Sequence, residues 1–177
     1  MGITHEVDIP HLSRSNAECG HARTGKDMTS YNPTFLKFEG PETQIAAYDH
    51  WSVLVRPKQC TLGALILIAN GPETQFSTLP AQAFSEQRQV IKDIEQVLSS
   101  MFRYDKINYL MLMMVDPNVH YHVLPRYATP ASFETWSLND HGWPGQPDLS
   151  GGSGDGALVG SLVKSLKAAW PEASRAP

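Results

Sequence analysis

The stretch Lys106-Ile-Asn-Tyr-Leu-Met-Leu-Met-Met-Val-Asp-Pro-Asn-Val-His-Tyr-His-Val-Leu-Pro-Arg-Tyr127 decides how the rest of the chain is read. It holds an apolar run, a break at Val115-Asp116-Pro117, then an alternating segment that ends at Pro125-Arg126. In an extended chain successive side chains point to opposite faces. His120 and His122 therefore share one face with Asn118 and Leu124, while Val119, Tyr121 and Val123 turn the other way, into a core. Two imidazoles at i and i+2 on a strand form a compact chemical unit: a nucleophile with its partner, an acid/base pair, or two ligands of a metal. The bland alternative is a pair of surface histidines on a cross-strand face.

Working outward, Pro80 to Arg103 carries Phe84, Val90, Ile91, Ile94, Val97, Leu98 and Met101 at steps of three and four, which predicts an amphipathic helix capped near Thr78. Before it, Gln44 to Tyr48 and Trp51 to Arg56 read as consecutive strands, and Cys60 to Ala69 as a central strand, aliphatic on both faces and bent at Gly63. Asp105 to Met114 and Asn118 to Leu124 supply two more. After Arg126 the aromatic, Pro/Gly-rich stretch around Trp136 and Trp143 predicts irregular chain. Asp148 to Gly156 predicts a flexible connector, and Ala157 to Trp170 a closing helix with Leu158, Leu162 and Leu166 four apart. Strands, helix, strands, helix in that order give an antiparallel α+β domain. Residues 1–30 are polar and without period, an extension ahead of a domain over 31–130, with 131–177 packed on the body.

The formal net charge of -4, with no basic cluster to offset it, argues against a nucleic-acid binder while leaving room for a phosphate held by local groups. Two cysteines make no disulfide framework, and no apolar run approaches the ~20 residues of a membrane span. A cytoplasmic protein without a membrane partner is expected. The Cys19-Gly-His21 pair lacks the second pair of a zinc module, and no cofactor or metal is called for.

His120-Tyr-His122-Val-Leu-Pro-Arg126, preceded by a long helix and by Lys106-Ile-Asn108, resembles the histidine-triad (HIT-like) nucleotide hydrolase and transferase superfamily. The likeness runs over Pro33 to Tyr127, and Trp143-Pro-Gly-Gln-Pro-Asp148 is similar to the tail of a bacterial branch labelled diadenosine tetraphosphate hydrolase. The resemblance implies an antiparallel sheet of about five strands with one long helix, paired into a homodimer. It implies cleavage at the α-phosphate of a dinucleoside polyphosphate or nucleoside phosphoramidate through a nucleotidyl-His120 intermediate. In that pattern His120 takes the nucleophile's place and His122 that of the last histidine. Asn118 stands where the first is usual, and an amide can orient a neighbour but cannot carry a proton. A further histidine, usual near the strand at Leu65 to Gly71, is missing. Asn108 and Arg126 become candidate phosphate or ribose contacts, and Phe38, Ile45 and Tyr48 a candidate base slot. Arg126, like Arg56 and Lys58, reads more often as a structural ion-pair partner than as a phosphate ligand. The departures leave a second reading: a nucleotide-binding protein with little or no turnover.

Overall fold

The structure is a computed structural model that describes residues 31–176. The N-terminal segment, with its Cys19-Gly-His21 pair, lies outside them. Five antiparallel strands, β1 (Gln44–Ala47), β2 (Trp51–Val55), β3 (Leu65–Ala69), β4 (Lys106–Leu110) and β5 (His120–Arg126), form one sheet in the order β1-β2-β3-β5-β4. The two most aliphatic strands, β2 and β3, are buried along their whole length and occupy inner positions, as period-free apolar runs must. The expected strand at Cys60 to Ala69 is shorter: Cys60 to Ala64 form a tight turn because Gly63, at φ +77°, reverses the chain against the ring of Phe102.

The sheet has two unlike faces. Val53, Val55, Leu65, Leu67, Val119 and Val123 point to a large core covered by α3 (Ala81–Met101) and α4 (Gly156–Ala169). From α3 come Val90, Ile94, Val97 and Leu98, and from α4 Leu158, Leu162 and Leu166. Burying each such side chain contributes about 1.5–3 kcal/mol. Thr78 does not cap α3: it lies in a 3-10 turn, its hydroxyl donating to the Gln75 carbonyl, and Pro80 holds the cap position. Asp155 does cap α4, accepting from the Ala157 N–H.

The opposite face carries Leu54, Ile66, Ile68, His120 and His122, and is covered by two short helices, α1 (Pro33–Lys37) and α2 (Gly40–Thr43). Asn32-Pro33 opens α1 as a side-chain cap followed by proline: Asn32 Oδ1 accepts from the Phe35 N–H. The Asn32 amide also donates to the carbonyls of Ala69 and Gly71, which pins α1 to the end of β3.

The C-terminal third is more ordered than its composition suggests. Ala131–Phe133 (β6) and Trp136–Leu138 (β7) pair as a small hairpin inside the stretch expected to be irregular. The Gly/Ser connector is docked, since Gln59 and Ser153 exchange two backbone hydrogen bonds and Gly152, at φ +98°, lies flat against Gln59. Among the described residues no helix is long and apolar enough to cross a membrane.

Candidate functional site

The histidine pair sits at the middle of the sheet on its short-helix face. His120 faces Ile68 across the β3–β5 ladder, and His122 stands between Ile66 and Leu110. Their rings meet edge to face at 5.2 Å, and Phe38, just after α1, packs on both at 5.6 and 5.7 Å. Val119 and Val123 are buried on the other face, as period-2 alternation requires.

His120 Nδ1 lies 2.8 Å from the backbone carbonyl of Asn118. A carbonyl only accepts, so Nδ1 carries the proton and Nε2 keeps its lone pair. That Nε2 is buried with no hydrogen-bond partner, and the residue as a whole is 0% exposed. His122 Nδ1 is likewise buried and unpartnered. Burial first, then the neighbouring His120 ring and the Arg56 charge, bring the His122 pKa down to about 4, against an upward pull from Asp116. His122 is thus a neutral ring at ordinary pH, with one N–H to give.

Asn118 orients the His120 ring through its main-chain carbonyl and not through its carboxamide. Its side chain is taken up elsewhere: Oδ1 accepts from the Thr34 hydroxyl at 2.9 Å, and Nδ2 donates to the Pro72 carbonyl. The backbone N–H of Asn118 returns a bond to Thr34 Oγ1. Asn118 thereby ties α1 and the loop after β3 to the head of β5. Lys37 adds an ion pair to Asp116 at 2.5 Å.

The remaining predicted residues divide. Phe38 lies against both histidines. Ile45 and Tyr48 do not join it: Ile45 belongs to the core under the helices, and Tyr48 bonds Asp93 of α3 and Trp170. A bulge between Gln44 and Ala46 turns Ile45 inward, a register shift that residue order does not reveal. Arg126 is fully committed. It is buried, grips both oxygens of Asp140, and also donates to Asn108 Oδ1 and the Gly145 carbonyl. The Asn108 amide oxygen is occupied by the same arginine, while its Nδ2 donates to the neighbouring Ile107 carbonyl at 3.3 Å. The two residues whose part the sequence did not bring out are Thr34, which locks Asn118, and Arg56, buried at the end of β2 on the histidine face. Nothing in the local pattern marks Thr34; Arg56 stood out only as a strand-end cation. Among the described residues no three His, Cys, Asp or Glu side chains group so as to hold a metal ion.

No protein-family model matches the chain, nor does any curated protein. Solved structures match its shape. A hypothetical histidine triad nucleotide-binding protein from Sulfolobus tokodaii superposes with a TM-score of 0.60 at 12% identity, over 77% of this chain and 88% of that one. The chain has the histidine-triad fold. A histidine triad protein from Bradyrhizobium japonicum gives 0.53 at 19% identity, over 74% and 92% of the two chains. A Hit-like protein involved in cell-cycle regulation from Bartonella henselae gives 0.52 at 13%, over 77% and 92%. At these identities the likeness concerns the fold, and the chemistry must be argued from the residues just described.

Proposed function

We propose that the chain is a nucleotidyl hydrolase or transferase that cleaves at the α-phosphate of a dinucleoside polyphosphate or a nucleoside phosphoramidate through His120. The observation that carries this reading is the 2.8 Å hydrogen bond from His120 Nδ1 to the Asn118 carbonyl. It fixes the tautomer whose Nε2 is nucleophilic, and the carbonyl dipole steadies the ring as it becomes cationic. The Nε2 lone pair forms the N–P bond as the bond from phosphorus to the leaving group breaks, the electron pair departing with that group. Water, or a hydroxyl acceptor in a transferase, then attacks phosphorus, loses a proton to solvent and returns the pair to Nε2, releasing the nucleoside monophosphate or its ester. Neutral His122 donates its N–H to a non-bridging oxygen. Asn118 supplies no proton, which favours leaving groups that are stable as anions.

The Sulfolobus neighbour is described as nucleotide-binding, in keeping with this reading. A homodimer is part of the proposal, supported by the open edge of β4. So is a cytoplasmic setting, supported by the free buried thiol of Cys60. A second reading, nucleotide binding with little turnover, is favoured by one fact: Nε2 is buried beneath Phe38 and α1, so substrate reaches it only when that cover shifts.

The test is incubation with diadenosine tetraphosphate, diadenosine triphosphate and an adenosine phosphoramidate, with product chromatography, for wild type and His120→Ala. Turnover that falls roughly 10³-fold or more in a folded variant, with a trappable nucleotidyl-histidine in wild type, supports the enzyme. Binding of AMP without turnover selects the second reading. Full activity in His120→Ala removes the nucleophile.

A further inference from the structure

Among the described residues, the buried side-chain polar atoms left without a partner are four: His120 Nε2, His122 Nδ1, Arg56 Nε and Thr61 Oγ1. The first two belong to the histidine pair. The other two lie in one short segment, the turn that joins β2 to β3, Arg56 at its start and Thr61 near its middle. Arg56 opens that turn, its N–H donating to the Ala64 carbonyl and so continuing the β2–β3 ladder by one rung. Leu54 pairs with Ile66, and Ile66 with His122. The next rung on the same face brings Arg56 beside Ala64, which packs on Leu124. Arg56 therefore stands on the histidine face, one step along the sheet from His122. His122 feels its charge.

The same face carries a second buried arginine that serves as an internal control. Arg126 holds a carboxylate with two nitrogens and has further acceptors for the rest. Arg56, only 9% exposed, has two backbone carbonyls, those of Lys58 and Leu149, for its five N–H groups. Among the described residues it has no carboxylate within ion-pair distance. Asp140, whose charge reaches Cys60 of the same turn, is already gripped by Arg126. A guanidinium removed from water without an anion costs several kcal/mol, and the carbonyls satisfy only part of it. A purely structural staple for this turn would need no charge, because Gln59 already closes it with bonds to Arg56 O and Ala64.

We infer that Arg56 binds a second anionic group of the substrate, a phosphate other than the one His120 attacks. This rests on the nucleotidyl reading and narrows it. Of the two leaving groups left open, it selects the phosphate chain over the phosphoramidate. Arg56 is a specificity residue, its planar guanidinium matched to a multiply charged phosphate that it recognises by paired hydrogen bonds.

The experiment compares wild type, Arg56→Gln and Arg56→Lys as full-length chains. One arm measures the ratio of kcat/KM for diadenosine tetraphosphate to that for an adenosine phosphoramidate. A second titrates inorganic pyrophosphate by calorimetry, which needs no turnover. The expected result is a ratio lowered at least about tenfold in Arg56→Gln, in line with loss of one buried charged contact, with part of it restored in Arg56→Lys. Pyrophosphate binds wild type and is lost in Arg56→Gln. An unchanged ratio, or pyrophosphate bound equally by both, overturns the inference. If no nucleotide is turned over, the nucleotidyl reading fails while the pyrophosphate arm still decides Arg56. If Arg56→Gln does not fold, failure of wild type to bind pyrophosphate at millimolar concentration is by itself enough to overturn it.

Discussion

An imidazole that donates from Nδ1 has a single nitrogen left to react with, and in His120 a main-chain carbonyl makes that choice. The consequence at the residue scale is that the choice of free nitrogen at position 120 does not depend on the side chain at 118. Parity along the strand was legible in the sequence, so the shared face of His120 and His122 followed from spacing alone. What the Asn118 carboxamide does was not legible, because its partners Thr34 and Pro72 are distant in the chain. The same limit explains Arg126: a strand-end arginine looks identical before folding whether its partner will be Asp140 or a phosphate. His122 yields a prediction of its own. Its folded pKa of about 4 lies below the 6.5 of a free histidine, so between those values the unfolded chain binds more protons than the native one. The stability tied to neutral His122 is full above pH 6.5 and is lost as the pH falls toward 4, an effect on the order of 3 kcal/mol. Urea denaturation at pH 7 and pH 4.5 should show wild type losing more stability than His122→Gln. Equal losses would place the acid sensitivity elsewhere.

At the scale of elements, α1 is too short to hold itself in place. Five residues make little more than one turn, well under the length at which a helix is stable alone. It is kept on the sheet by Asn32 at one end, by the Thr34–Asn118 pair, and by Lys37–Asp116. Thr34→Val keeps the shape and removes the hydroxyl, leaving the Asn118 amide short of partners at a cost of about 1–3 kcal/mol. We expect amide protection to fall over residues 34–38 while that of α3 is unchanged, measurable by hydrogen exchange. Unchanged protection of α1 would mean that Asn32, the Lys37–Asp116 pair and the packing of Phe35 suffice to hold it. The long elements, by contrast, were plain from periodicity. The pattern of α3 spans six turns, whereas β6, β7 and α1 are too short for any period to emerge from noise.

At the scale of the molecule, the chain returns to close over the turn beside the site. The Gly/Ser segment looked like a linker because composition reports only how freely a stretch can move when nothing binds it. Here Gln59 and Ser153 bind it backbone to backbone. Gly152 is required twice over: its φ of +98° suits no side chain, and a Cβ would fall 2.0 Å from the Gln59 carbonyl oxygen. Gly152→Ala should undock the strap, lower the melting temperature by several degrees, and open residues 148–153 to limited proteolysis. A variant as resistant as wild type would contradict the docking. On the other side of the sheet, β4 is an open edge followed at once by Met111, Leu112, Met114 and Val115, all exposed. Unpaired edges and exposed apolar side chains together invite association with a second copy. Met114→Lys is therefore expected to shift a dimer toward monomer in sedimentation velocity, and a monomeric wild type would rule that pairing out.

The sulfur in that exposed loop gives it a further property. Met114 is 91% exposed while its neighbour Met113 is packed against the core. Dilute peroxide should convert the Met114 thioether to a sulfoxide well before Met113 reacts, exchanging a soft apolar tip for a polar one. Any association that depends on the loop would then loosen under oxidising conditions and return when the sulfoxide is reduced.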